Sequence, residues 1–207
     1  MKTIFWNVDT QYDFMRAYGK LYVQGAESIE GNLEILTKLA EKENIQVVNT
    51  ADWHTEKTEE ISNNPDFIKT FPRHCMNGTP GAEYVPVTIP QKPYKIRWWQ
   101  KSFDEKEVAN SRNIILYKDK FDVFTGTPHA DSVLRIIKPE RAIVYGVATN
   151  VCVDCAVTGL LERKVEVYVP LDAIKELPNL PLHEVLDRWK GMGAKLIKTS
   201  EVEKYIA

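Results

Sequence analysis

The cysteine pair in the segment GVATNVCVDC is the first feature of the chain that could do chemistry. Cys152 and Cys155 have C-x-x-C spacing, which occurs in redox pairs and in half of a zinc site. A redox pair usually opens the helix after an early strand and has a small or proline-containing centre, whereas this pair follows a late strand and encloses Val153. A zinc half-site needs two more thiol or imidazole ligands, and none follow nearby. We therefore predict that Cys152 acts alone and that Cys155 is structural.

Cys152 lies where a thiol can serve as a nucleophile. Thr149 and Asn150 are favourable N-cap residues, so the thiol is expected in the first turn of a helix. A helix N-terminus lowers the pKa of a thiol and favours the thiolate. The backbone N–H groups of Ala148 and Cys152 are the expected donors to an oxyanion on a substrate carbonyl. The alternative interpretation is that Cys152 is a small buried apolar residue.

An acid and an amine follow two other apolar runs. Asp9 ends the run in NVDTQYDF, and Lys118 ends the run in NIILYK. A carboxylate within reach of a thiol can take its proton and later return it to a leaving amine, so we expect Asp9 to be a catalytic base. Asp13 is a rival in the same loop. Lys118 is preferred to Lys120 because it belongs to the end of the run.

The segment from 51 to 75 contains a carboxylate and two imidazoles. Asp52 and His54 form a D-x-H pair at the end of another apolar run, and His74 follows further on. These ligand types suit Zn²⁺, Fe²⁺ or Mn²⁺. Cys75 is a weaker candidate, since neighbours in an extended chain point to opposite faces. We predict a metal site formed by Asp52, His54 and His74.

The elements that must position these residues alternate along the chain. Short β-branched or aromatic runs predict strands at 3–8, 45–50, 113–118, 141–146, 164–169 and 194–198. Apolar residues three and four apart predict amphipathic helices at 28–43, 129–138, 150–164 and 182–193. Apolar strands that alternate with helices predict a three-layer α/β/α fold with a mainly parallel, Rossmann-like central sheet. Ligands bind at the carboxyl ends of such strands, where Asp9, Asp52, Lys118 and Cys152 fall.

One long segment departs from this alternation. Residues 51–112 are polar, rich in Pro, Asn and Trp, and lack a sustained period, which predicts an irregular metal-binding or lid segment. Trp98 and Trp99 within it could line a pocket, form an oligomer contact or pack internally, and packing is preferred. The composition does not change midway, so residues 1–207 are interpreted as a single domain.

Composition and charge narrow the class of ligand. The net charge is −2 with Lys and Arg spread along the 207 residues, so we expect a small-molecule ligand and neither nucleic acid nor a membrane surface. No apolar run approaches the length that spans a bilayer, and Asp9 interrupts any signal-peptide core. Three cysteines argue for free thiols in a reducing compartment. We expect a cytoplasmic protein that forms a homo-oligomer.

Four motifs in this order resemble the isochorismatase-like cysteine hydrolases, with the nicotinamidase branch nearest. NVDTQYDF resembles the opening V-D-x-Q-x-D-F, ADWH the metal D-x-H, FPRHCMNGTPGAE the W-P-x-H-C-x-x-G-T-x-G-A-E segment, and GVATNVCVDCAV the nucleophile turn. The likeness extends from the first predicted strand to at least the fifth.

The resemblance implies both a site and an activity. It implies a triad of Asp9, Lys118 and Cys152, a metal on Asp52, His54 and His74, and a cis peptide between Val147 and Ala148. The implied reaction is hydrolysis of nicotinamide to nicotinate and ammonia through a thioester, as in NAD salvage. Zinc is the expected metal, with iron or manganese as alternatives. Phe14 and Phe71 are candidates to sandwich the substrate ring, with Val147 as a further contact.

Departures from the family pattern affect the substrate and the metal. The segment EIS replaces the branch's H-x-S, so Glu60 is a candidate for the additional metal ligand. Phe71 replaces the usual Trp, and DKFDVFTGT lacks the Tyr-Ser pair common in nicotinamidases. The alternatives are a related amidase for a carbamoyl or maleamate-like amide and a non-catalytic, ligand-binding member of the fold.

Overall fold

The computed structural model describes residues 1–178 and 181–206. Its strands are β1 (Thr3–Val8), β2 (Val47–Asp52), β3 (Tyr94–Ile96), β4 (Asn113–Lys118), β5 (Arg141–Val147), β6 (Glu166–Pro170), β7 (Ile174–Lys175) and β8 (Lys195–Ile197). Its α-helices are α1 (Tyr12–Met15), α2 (Glu30–Lys42), α3 (Glu105–Asn110), α4 (Val123–Gly126), α5 (Ala130–Ile137), α6 (Asp154–Glu162) and α7 (Leu182–Met192). A π-helical turn, Thr149–Val153, precedes α6, and a 3₁₀ helix, Thr199–Tyr205, follows β8.

The strands form one sheet in the order β3-β4-β2-β1-β5-β6-β8, and the short β7 pairs with β5. Every pairing between these strands is parallel. The chain winds from β1 to β2 on one side and later returns to place β5 on the other side of β1. The order therefore reverses at β1, and the crevice at such a reversal is where ligands bind in doubly wound sheets.

The strands are apolar on both faces because helices cover both. In β1, Ile4 and Trp6 point to one hydrophobic cluster and Phe5 points to the other. Alternate side chains of β5 divide in the same way: Val144 joins the first cluster and Ile143 the second. Alternate apolar side chains that divide between two clusters are what a sheet buried on both faces requires.

The helices form the two outer layers. Helices α3 to α7 contribute buried residues to the first cluster, as with Val133 of α5 and Trp189 of α7. Helices α1 and α2 and the C-terminal 3₁₀ helix contribute to the second, as with Leu33 and Leu36 of α2 and Val202. The predicted three-layer α/β/α fold with a mainly parallel sheet is confirmed.

The predicted boundaries need several corrections. All six predicted strands and all four predicted helices are present, with ends shifted by a few residues. The segment 51–112 is less irregular than predicted, because it contains the edge strand β3 and the helix α3. These short elements are stabilised by tertiary contacts rather than by their own periodicity, since β3 pairs with β4 and α3 packs against α5. No helix in the described parts of the chain is long and apolar enough to cross a membrane.

Gly146 allows β5 to approach β1 closely just before the crevice. Its φ is +121°, and a Cβ atom there would lie 2.1 Å from the carbonyl oxygen of Val8. The positive φ disfavours any other residue at this position, and there is no room for a Cβ atom.

We predict that Gly146→Ala lowers the free energy of unfolding by about 2–4 kcal/mol, since the clash is with backbone that cannot rotate away. Gly31→Ala is the matched control: Gly31 lies in α2 with nothing within 4 Å of a Cβ, so stability should stay equal or rise by up to ~1 kcal/mol. Urea unfolding measures both variants. Equal stability of the two would contradict the close-approach argument.

Candidate active site

The parallel register brings four chemically capable side chains together at the carboxyl ends of the central strands. Asp52 ends β2 directly opposite Lys118 at the end of β4. Asp9 follows β1, whose last residue pairs with Gly146 of β5. Cys152 lies in the turn after β5. The four residues thus follow the strand order, although they are far apart in sequence.

Lys118 lies at the centre of this group and is fully buried. Its ammonium forms an ion pair and hydrogen bond with Asp52 Oδ1, and its Nζ is 2.9 Å from Asp9 Oδ2 and 4.0 Å from the sulfur of Cys152. Thr50 donates a 2.6 Å hydrogen bond to Asp9 Oδ1. The Lys118 contact with Asp9 Oδ2 lacks hydrogen-bond alignment, and this oxygen has no hydrogen-bond partner among the described residues. A carboxylate oxygen of Asp9 and the sulfur of Cys152 lie within 4.8 Å of each other, so Asp9 is placed to accept a proton from the thiol.

Burial and neighbouring charges set the protonation states. Burial raises the pKa of Asp9, although Lys118 acts in the opposite direction. Burial also opposes the ionised forms of Asp52 and Lys118, but their mutual attraction prevails: the pKa of Asp52 is well below its usual range, and that of Lys118 well above. Lys118 is thus a permanent cation between two carboxylates.

The prediction that the helix N-terminus lowers the pKa of Cys152 is wrong for the resting site. Burial, followed by the nearby carboxylates of Asp9 and Asp52, raises the pKa of this thiol well above its usual value, and Lys118 only partly compensates. Cys152 is 7% exposed. The thiol is therefore protonated at rest, and a nucleophilic thiolate requires transfer of its proton to a base.

The turn that carries Cys152 has an unusual backbone. The peptide bond between Val147 and Ala148 is cis, as the resemblance implies. The carbonyl oxygen of Ala148 accepts hydrogen bonds from the N–H groups of Val151 and Val153, at 3.0 and 3.1 Å. The Ala148 N–H donates to no acceptor within the described parts of the chain, so it is available to a ligand oxygen. The N–H of Cys152 belongs to the same turn.

A group of metal-ligand atoms lies beside Asp52. One ligand atom each from Asp52, His54 and His74 fall within 4.8 Å of one another. Nε2 of His54 and Nε2 of His74 are both 3.6 Å from Asp52 Oδ2, and Oε2 of Glu60 is 3.9 Å from His54 Nε2. The structure thus brings together all four predicted ligands.

The hydrogen bonds around this group fit a cation. His74 Nδ1 lies 2.7 Å from the carbonyl oxygen of Pro72, which turns Nε2 toward Asp52. Glu60 Oε1 accepts from the N–H of Phe121 at 2.9 Å. Both ring nitrogens of His54 and Oε2 of Glu60 are buried without hydrogen-bond partners among the described residues. Unpaired buried acceptors facing one another are costly unless a cation lies between them, so the residues fit a divalent metal.

A mainly apolar cavity opens over Cys152 and the metal-ligand group. Its lining residues include Phe14, Phe71, Phe121, Val151 and Leu177. Phe14 and Phe71 lie on either side of His74, with ring centroids 5.4 and 6.1 Å from the imidazole. The cavity thus places two predicted substrate contacts beside the thiol.

Val147 does not fit its predicted role as a contact of the substrate ring. Its side chain is 0% exposed and packs in the second hydrophobic cluster, and the lining of the cavity begins at Ala148. The alternation along β5 explains the difference, because Val147 points to the same layer as Ile143 and Tyr145.

Gln11 and Asp13 support the site, although the sequence interpretation gave them no such role. The side chain of Gln11 accepts from the N–H of Asp52 and donates to the carbonyl oxygens of Asp52 and Ala82, at 2.7–2.8 Å. Asp13 accepts from the N–H of Cys75 at 2.7 Å, beside His74. The signal was present: both residues lie in NVDTQYDF and recur in the family motif.

The other two cysteines are outside the catalytic group. Cys75 is fully buried, and burial raises its pKa well above the usual value. Cys155 is half-buried and borders a surface groove with Asp122 and Arg163. Burial raises the pKa of Cys155 to about 12. Among the described residues, Cys155 belongs to no group of metal-ligand atoms.

The family model of the isochorismatase domain matches residues 3–201. The chain therefore belongs to the isochorismatase family, as the motifs predicted. A nicotinamidase/pyrazinamidase of Mycobacterium tuberculosis is 35% identical over 80 residues, which cover 38% of this chain and 41% of that protein. The matched region is thus less than half the length of this curated relative.

Solved structures share the fold over nearly the whole chain. The pyrazinamidase of Pyrococcus horikoshii in complex with zinc superposes with a TM-score of 0.76 and 25% identity, covering 96% of this chain and 99% of that one. The N-carbamoylsarcosine amidase of Thermoplasma acidophilum has a TM-score of 0.75 and 21% identity, covering 98% of this chain and 99% of that one. At that identity, the second likeness concerns the fold alone.

We predict that Gln11→Ala lowers the free energy of unfolding by about 2–4 kcal/mol, because it leaves buried backbone groups of Asp52 and Ala82 unpaired. Gln24→Ala, at an exposed position, should change stability by less than ~0.5 kcal/mol. Denaturant unfolding of both variants tests this. If the Gln11 variant is as stable as the Gln24 variant, Gln11 does not stabilise the backbone around Asp52.

Proposed function

We propose that the protein hydrolyses a small neutral amide, with nicotinamide as the leading candidate and nicotinate and ammonia as products. The observation that carries the proposal is the close group of Asp9, Lys118 and Cys152, of which the thiol lines an aromatic cavity. A base, a fixed cation and a thiol in contact are the requirements of cysteine-based amide hydrolysis.

The first half of the reaction forms a thioester. Asp9 takes the proton of Cys152, and the sulfur attacks the amide carbonyl carbon. The carbonyl oxygen becomes an oxyanion, which the N–H groups of Ala148 and Cys152 receive. Asp9 then gives its proton to the amide nitrogen as the carbon–nitrogen bond breaks, so ammonia leaves and the acyl group remains on sulfur.

The second half releases the acid. Asp9, ionised again, takes a proton from water as the water oxygen attacks the thioester carbon. Collapse of this intermediate breaks the carbon–sulfur bond, and the sulfur recovers a proton. Lys118 stays charged throughout and holds Asp9 in place through their 2.9 Å contact.

The metal-ligand group adjoins the thiol, because a carboxylate oxygen of Asp52 lies within 4.8 Å of the Cys152 sulfur. We propose that Asp52, His54 and His74 hold a divalent ion, with zinc as the leading candidate, and that Glu60 is a fourth ligand. When bound, such an ion supplies a Lewis acid that can hold a ring nitrogen or a water.

The lining of the cavity favours a neutral substrate over an anionic one. Its side chains, within the described residues, include neither Lys nor Arg. Carbamoylsarcosine and maleamate each carry a carboxylate, which needs a cationic partner on burial. Nicotinamide has no charge, and its flat ring suits walls formed by Phe14 and Phe71.

Cys152→Ala tests the proposed function. We expect ammonia release from nicotinamide to fall by roughly a thousandfold or more, because the nucleophile is lost. Cys155→Ala is the matched control and should keep wild-type turnover. A Cys152→Ala variant that still turns over nicotinamide would refute the mechanism.

Wild-type protein should also be assayed with N-carbamoylsarcosine and maleamate. Turnover of either, with none of nicotinamide, would assign the related amidase function instead. Absence of turnover of all three would favour the non-catalytic binding protein.

Glu60→Gln tests the fourth ligand without relying on activity. We expect the affinity for Zn²⁺ to fall at least about tenfold, measured by competition with a chromogenic chelator, since an anionic oxygen donor is lost. Glu59→Gln is the matched control, because Glu59 is 88% exposed and pairs only with Lys120. Burial and the nearby Asp52 raise the pKa of Glu60 to about 7, so the metal-free Glu60→Gln protein should be at least as stable as the wild type. Unchanged zinc affinity would exclude Glu60 as a ligand.

A further inference from the structure

A second cavity lies between the sheet, α2 and the loop 86–91. Its volume is about 200 Å³, and it shares no lining residue with the cavity over Cys152 in the described parts of the chain. Side chains of β1, β2 and β5 form its floor, and Val87 and Ile89 are among its apolar walls. It is therefore a separate space, and its chemistry must be considered by itself.

The floor of this cavity is polar where the surrounding core is apolar. Asn49, Asn7 and Tyr145 lie side by side on adjacent strands, because the register pairs Asn7 with both of the others. Asn7 donates a 3.0 Å hydrogen bond to Asn49 Oδ1 and accepts one from Thr10. Neighbouring positions on this face, such as Phe5, belong to the hydrophobic cluster. A polar row inside an apolar layer is costly unless it is fully paired.

The pairing of this row is incomplete at Tyr145. The residue is 1% exposed and lines the cavity, but its hydroxyl makes no hydrogen bond with any described residue. Burial raises the pKa of Tyr145, so the hydroxyl remains protonated and is a donor. Buried tyrosine hydroxyls normally find a partner, which leaves this group available to a ligand atom in the cavity.

The rim of the cavity includes the guanidinium of Arg112. Arg112 lines the cavity and forms no ion pair with any described residue. The other rim charges are less available: Lys38 and Glu34 pair with each other at 2.6 Å, and Glu41 is exposed to solvent. An unpaired guanidinium is a preferred partner of a carboxylate, which it can hold through two hydrogen bonds.

We propose that this cavity binds a small aromatic carboxylic acid. The carboxylate pairs with Arg112, the ring lies against Val87 and Ile89, and a polar atom of the ligand accepts from the Tyr145 hydroxyl. Amides and amines lack the charge that Arg112 selects. The site does not depend on the catalytic function, because it shares no side chain with the catalytic group.

Two probes, 4-hydroxybenzoate and its neutral counterpart 4-hydroxybenzamide, test this site by calorimetric titration. We expect the wild type to bind the acid more tightly than the amide. Arg112→Gln should weaken binding of the acid by about tenfold or more, since one charge-assisted contact is lost. Tyr145→Phe, which keeps the ring and removes only the hydroxyl, should weaken it several-fold, about what one neutral hydrogen bond contributes.

Control variants separate this site from the catalytic cavity. Phe71→Ala alters only the catalytic cavity, and Arg97→Gln removes an arginine that contacts Trp99 elsewhere; both should retain the Arg112-dependent binding. Thermal unfolding establishes that each variant is folded. Binding that persists in Arg112→Gln, binding that disappears in Phe71→Ala, or no binding of the acid to the wild type would each overturn the proposal.

Discussion

The ion pairs of the buried Lys118 are the interaction on which the site depends. Its ammonium lies between the carboxylates of Asp9 and Asp52, all three away from water. Removing charges from water costs several kcal/mol for each ion, and the cost is offset only when the partners are close and well oriented. The parallel register provides that orientation, because it sets Asp52 directly opposite Lys118. The register of the sheet thus fixes the relative positions of Asp52 and Lys118.

The location of the site could be predicted from the sequence, whereas its protonation could not. Apolar runs that end in Asp9, Asp52 and Lys118 reveal the strand ends, and parallel strands place such ends at one edge. The pKa of Cys152 depends on which groups surround the sulfur in space. Burial and two carboxylates raise the pKa of this thiol more than Lys118 lowers it, and no spacing in the sequence reports that balance.

The same limit explains the other differences. Gln11 and Asp13 act through hydrogen bonds to the backbone of residues about 40 and 60 positions away, and local patterns carry no information on such partners. Strand β3 and helix α3 are too short to show a period and form because β3 pairs with β4 and α3 packs against α5. Val147 adjoins the nucleophile turn in sequence, but the alternation of β5 turns its side chain into the core.

Charge balance links the catalytic group to the metal-ligand group. Asp52 belongs to both, since Oδ1 faces Lys118 and Oδ2 faces the two histidines. When all three are ionised, the carboxylates of Asp9, Asp52 and Glu60 exceed the single ammonium by two charges, which the proposed divalent ion would balance. Transfer of the Cys152 proton to Asp9 then moves a negative charge from oxygen to sulfur without changing the net charge of the buried group. A thiolate formed in this way remains beside Lys118 at 4.0 Å, so the cation that stabilised Asp9 also stabilises the nucleophile.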